Sequence, residues 1–168
     1  MPIKAVGAVL IMTSGILIGV SLKSRLSYRV DLLKEVYDFL LYIKRNLNYD
    51  MPALSDLFCQ YGTEWGCGLI GVISDSLEND EPFEKIVEHS FSAAEIMNTL
   101  NVSEQNYLKS VFLQLGSSDS ESQLMLIDSS AAQLECMIKE STEEKDRKSR
   151  VYMSLSVYSG MIIAILLI

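Results

Sequence analysis

At 168 residues, 49% of them hydrophobic, the chain has material for one domain of ordinary size and not for two separate cores. All 22 acids lie between Asp31 and Asp146, where only seven bases offset them, so this stretch is far more acidic than the net charge of −8 implies. Such a surface repels nucleic acid; it is either an ordinary solvated helix surface or one that steers a basic protein face. Cys59, Cys67 and Cys136 are odd in number and lack C-x-x-C spacing, and the lone His89 is remote from them in sequence, which fits a reducing compartment and gives no metal site.

The first element is an uncharged run over residues 5–22, preceded by Lys4 and followed by Lys23, Arg25 and Arg29. No small-residue cleavage site with polar residues after it follows the run, and the bases behind it oppose translocation, so it is expected to be an uncleaved transmembrane helix over 3–22. A second uncharged run, 151–168, follows a charged collar containing Lys145, Arg147, Lys148 and Arg150. Its 18 residues make roughly 27 Å of helix, near the lower end of what crosses a bilayer core of about 30 Å. Positive charge on the inner side of both runs places residues 23–150 in the cytosol and both ends across the membrane. Gly15 and Gly19 in the first run, and Ser156, Gly160 and Ala164 in the second, have the small-residue spacing that lets helices pack closely, within the chain or with a partner subunit.

From Leu32 the first helix is expected to continue into the cytosol, because Leu33, Val36, Leu40, Ile43 and Leu47 recur at 3, 4, 3, 4 spacing. Asn48 to Pro52 ends it, and Asp50 is placed to cap a second helix with Leu54, Leu57, Phe58 and Tyr61 on its face and Gly62 as its stop. Gly66, Gly68 and Gly71 spell G-x-G-x-x-G, but a dinucleotide fingerprint needs a strand before it, and no alternating run occurs anywhere. The string is instead expected to be a turn leading into a third helix through Leu69, Val72, Ile73 and Leu77. A fourth helix carries Phe83, Ile86, Val87, Phe91, Ala94 and Met97, with His89 half-buried on it. Ser103 is placed to cap a fifth, whose face is Leu108, Val111, Phe112 and Leu115.

The last helix is expected from Asp119 to the end of the chain. Gly116 ends the helix before it, and Ser118 with Glu121 forms a capping box. Leu124, Ile127, Ala131, Leu134 and Ile138 again show 3, 4, 3, 4 spacing, so the first and last helices present matching seams. Paired antiparallel, they set Leu33 beside Ile138, Leu40 beside Ala131 and Leu47 beside Leu124. The acids around Glu140, Glu143 and Glu144 share a solvated face, and no nucleophile stands with a base. The fold expected is all-α: a six-helix cytosolic bundle whose first and last helices continue into an antiparallel transmembrane pair. No catalytic residue, cofactor, metal or small-molecule substrate is expected; a membrane-tethered enzyme or signalling domain is the alternative.

The chain resembles the stage III sporulation protein AB family of endospore-forming bacteria. The residues that carry the likeness are Gly7, Ala8, Val9, Leu10, Ile11 and Gly19, then Leu40, Ile43, Tyr49, Pro52, Ala53 and Leu54. Towards the other end they are Leu115, Gly116, Ser118, Asp119 and Gln123, then Leu155, Gly160, Ile165, Leu166 and Leu167. The likeness covers the first and last thirds; between 62 and 102 it extends only to helical character. Where the family commonly has a Glu-Ile pair, Asn46 and Leu47 stand here, so any role of that acid is not carried over. The resemblance implies a component of the channel complex between mother cell and forespore, in the mother-cell membrane around the forespore. It further implies a head similar to the helical domains of type II secretion and type IV pilus platform proteins. Its partners would be a cytosolic secretion-type ATPase and other channel subunits, with a homo-oligomer possible.

Overall fold

The computed structural model describes residues 2–47, 53–66, 68–77, 81–92, 99–115 and 120–167, except the side chains of 2–12, 15–20, 22–23, 120, 156–157, 159–161 and 163–167. Among these residues there are six helices and no strand. They are α1 (Pro2–Leu47), α2 (Leu54–Glu64), α3 (Leu69–Leu77), α4 (Phe83–Ser92), α5 (Val102–Gln114) and α6 (Ser120–Leu167). The chain divides into two units, Arg29–Ile138 and the two ends Met1–Tyr28 with Lys139–Ile168.

The unit Arg29–Ile138 holds the core. On α1 the seam residues Leu33, Val36, Leu40 and Ile43 are fully buried, and Leu47 packs against the core partly buried. The buried stripe is wider than that seam, because Leu32, Phe39 and Tyr42 are buried too. A helix with one neighbour needs a narrow stripe, whereas this half of α1 is contacted on more than one side. Phe39 anchors an aromatic layer: its ring lies 4.5 Å from Phe58 and 5.1 Å from Tyr61 of α2. Phe112 of α5 extends the layer, 6.0 Å from both Phe58 and Phe91 of α4. Tilted and edge-on rings at these spacings add about 0.5–1.5 kcal/mol per pair beyond their burial. On α6, Ile127, Ala131 and Leu134 are buried, while Ile138 and Leu124 are half-buried.

Local differences from the sequence-based expectations have physical reasons. Gly62 does not stop α2, which runs on to Glu64. A Cβ on Gly62 would collide with the Ser74 side chain of α3, so the glycine is there for close helix contact. The cap of α5 is Asn101 and not Ser103: Glu104 reaches back to accept a hydrogen bond from the Asn101 backbone N–H at 2.9 Å, which Ser103 as the cap would not permit. His89 is exposed on α4 because Ile86, Val87, Ser90 and Phe91 take the buried face. The α2 cap is Ala53, without a side-chain bond; Asp50 and Pro52 lie outside the described residues, as do Ala94 and Met97.

In the other unit, the collar on α6 carries an i,i+4 pair between Lys148 and Glu144 at 2.5 Å, and Arg150 Nε donates to the Asp146 carbonyl at 3.2 Å. Among the described residues no helix is long and apolar enough to cross a membrane. Residues 5–22 and 151–167 of the uncharged runs belong to α1 and α6, and most of their side chains lie outside the described ones.

Candidate functional site

The surface feature with the most chemistry in the Arg29–Ile138 unit is a groove where α1 meets the end of α2. Asp38, Leu41, Lys44, Arg45, Tyr61 and Trp65 line a cavity of about 450 Å³. Asp38, Leu41 and Arg45 fall at 3 and 4 spacing on α1, hence on one face. Trp65 closes α2: its backbone N–H donates to the Tyr61 carbonyl at 2.8 Å, and Gly66 N–H to the same carbonyl at 3.0 Å. Its ring stands edge-on to Tyr61 at 5.6 Å and to Tyr42 at 6.0 Å, yet 57% of the residue is exposed.

The glycines behind Trp65 explain how the turn is built. A Cβ on Gly66 would lie 2.8 Å from the Gly62 Cα and 3.0 Å from the Gly71 nitrogen, and one on Gly71 would lie 2.8 Å from the Gly66 carbonyl oxygen. Backbone therefore packs on backbone between α2 and α3. The Gly68 N–H donates to Glu35 Oε1 at 3.0 Å, tying the turn to α1, and a Cβ at Gly68 would strike that carboxylate. The G-x-G-x-x-G string thus has a packing role in a helical hairpin, and among the described residues no strand precedes it.

Electrostatics around the groove are mixed. Lys44 Nζ donates to Asp128 Oδ1 of α6 at 2.5 Å, which joins the first and last helices one residue away from the pairing that their seams suggest. Among the described residues Asp38 and Arg45 have no ion-pair partner. Burial pushes the Tyr61 phenol up to about 12; Asp38 and Glu35 push the same way and Arg45 opposes them. The phenol is therefore a neutral hydrogen-bonding group at any physiological pH.

A second polar cluster lies at the start of the same unit. Arg29 Nε and Nη2 donate to the two oxygens of Glu104 at 3.1 and 2.7 Å, with only 12% and 7% of the two side chains exposed. This bidentate pair joins α1 to α5, and Glu104 serves the α5 cap as well. In the sequence Arg29 stands out only as one of the bases flanking the apolar run.

Of the site residues expected from sequence, Gly116, Ser118 and Asp119 lie outside the described residues, and Gln123 is half-buried on α6. Gly15 and Gly19 lie on α1, and Ser156, Gly160 and Ala164 on α6, with nothing described of their surroundings. Trp65, Asp38 and Arg45 were not anticipated. The signal available for them was the chain's single tryptophan set between a helix and a glycine-rich turn. Among the described residues no group of His, Cys, Asp and Glu is placed to hold a metal.

The folding pattern and this surface define a helical-bundle protein. The chain belongs to the stage III sporulation protein AB family, whose model matches residues 4–168. The match also takes in the middle region, 62–102, where the resemblance had extended only to helical character. No curated protein and no solved structure was found to match the chain.

Proposed function

We propose that this protein is a non-enzymatic membrane platform in a secretion-like channel complex formed during sporulation, between mother cell and forespore. Its head, residues 23–150, sits in the cytosol and couples a cytosolic ATPase to membrane subunits of the channel. The observation that carries the proposal is that the chain holds two long helices, α1 and α6, joined by the Lys44–Asp128 bond, and that its sequence places an uncharged run towards the far end of each, flanked by bases on the head side. Membership of a sporulation family supports the setting. Lys23, Arg25, Arg147, Lys148 and Arg150 hold the head on the inner side, and the small residues Gly15, Gly19, Ser156, Gly160 and Ala164 serve helix packing in the bilayer.

Reporter fusions test the topology. A reporter that works only outside the cytosol should be active when fused after Ile168 and silent when inserted in the exposed part of the head near Glu81. Activity of the C-terminal fusion only inside the cytosol would overturn the two-span arrangement.

A further inference from the structure

We propose that the groove between α1 and the end of α2 is a docking site for a protein partner whose surface is on balance basic. The partner seats one apolar side chain against Trp65, with a base facing Asp38 and an acid facing Arg45. The proposal deepens the platform reading and rests on it.

Three observations carry it. The first is Trp65 itself: a tryptophan more than half exposed contributes little to the core, yet two tyrosine rings and the helix-end hydrogen bonds hold it in one orientation. The turn behind it is fixed by backbone contact at Gly62, Gly66 and Gly71 and by the Glu35 carboxylate on Gly68. Holding a large side chain in place beforehand lowers the ordering cost that association otherwise carries. The second is composition: Trp, Tyr and Arg, the residue types that dominate binding energy at protein interfaces, stand together around a concave space of about 450 Å³. That volume accepts a large apolar side chain with the backbone that carries it.

Charge is the third. Asp38 and Arg45 both line the groove, seven residues and therefore about 10 Å apart along α1, without ion-pair partners among the described residues. Between them they call for a dipolar contact. The sequence over residues 31–146, with 22 acids against seven bases, carries a net negative charge that attracts a basic face and speeds encounter. Phosphate-bearing ligands suit the groove poorly, since Lys44 is engaged by Asp128 and Asp38 is among the lining residues.

The full-length protein in lipid nanodiscs, titrated with the purified cytosolic ATPase of the channel, provides the test. Wild type should bind, and binding should weaken as salt rises. Trp65→Ala should weaken it by about 30-fold or more, as loss of a central aromatic anchor does. Arg45→Glu, at an exposed position that the core does not use, should also weaken it, whereas Val102→Ala, exposed elsewhere on the head, should not. Far-UV helicity and melting of each variant separate binding from folding. Binding that is equal for wild type, Trp65→Ala and Arg45→Glu would overturn the groove and leave the platform reading standing. No binding by the wild type would overturn both. Loss of self-association in Trp65→Ala, with ATPase binding unchanged, would overturn the proposal in favour of an interface between copies.

Discussion

Tyr61 shows how much one residue's setting can be tested without knowing the partner. Its ring is buried against Phe39 while its phenol lies at the groove, where burial, Asp38 and Glu35 raise its pKa to about 12. The unfolded chain releases this proton near pH 10 and the folded chain only near 12, so the contribution to stability is fully present below pH 10 and is lost as pH rises through that window. Water in the open groove reduces the effect to the order of 1–2 kcal/mol. Melting of the full-length protein and of Tyr61→Phe between pH 9 and 12 should diverge, with wild type losing more. Asp38→Asn should shift the tyrosinate absorbance of Tyr61 to lower pH and Arg45→Gln to higher pH. Identical melting curves for wild type and Tyr61→Phe would mean that the phenol is open to water in the folded chain.

Among the elements, the α2–α3 hairpin is a tight junction of backbone on backbone, and it makes a strict demand on sequence. An alanine methyl at position 66 would meet the Gly62 Cα and the Gly71 nitrogen, both backbone, so no side chain can rotate away to admit it. Gly66→Ala should cost about 1–3 kcal/mol, read as a lower melting temperature, and Gly71→Ala a similar amount. Gly68→Ala should cost less, because the atom it meets is the end of the Glu35 side chain. Element type was legible from periodicity alone, since apolar residues at 3 and 4 spacing place Leu57, Phe58 and Tyr61, or Leu108, Val111 and Phe112, on one buried face. Ends were less legible. Gly62 looks like a stop in one dimension, and only the neighbouring α3 shows that the missing side chain makes room for Ser74. Ser103 looks like a cap for α5 until Glu104 is seen serving Asn101 and Arg29 together. The groove was the least legible feature, because Trp65 is remote in sequence from Asp38 and Arg45 and shares no helical period with them.

At the scale of the whole chain, the platform reading predicts that the seams of α1 and α6 pair within the Arg29–Ile138 unit. Within the Arg29–Ile138 unit the Lys44–Asp128 bond joins them. With Cys59, Cys67 and Cys136 replaced, a cysteine at Leu33 should cross-link with one at Ile138 and not with one at Leu124. The two α6 positions are 14 residues and about 20 Å apart along the helix. Cross-linking at Leu124 instead, or only between chains, would mean that the seams serve another helix or another copy. The hairpin that carries Trp65 also constrains how this chain can diverge. Gly66 and Gly71 sit back to back, so drift at either position alone must push the two helices apart, whereas only a lineage that first opens the hairpin could accept side chains at both. Their close approach couples the two glycines, and a relative that has lost one should be found to have lost the fixed tryptophan as well.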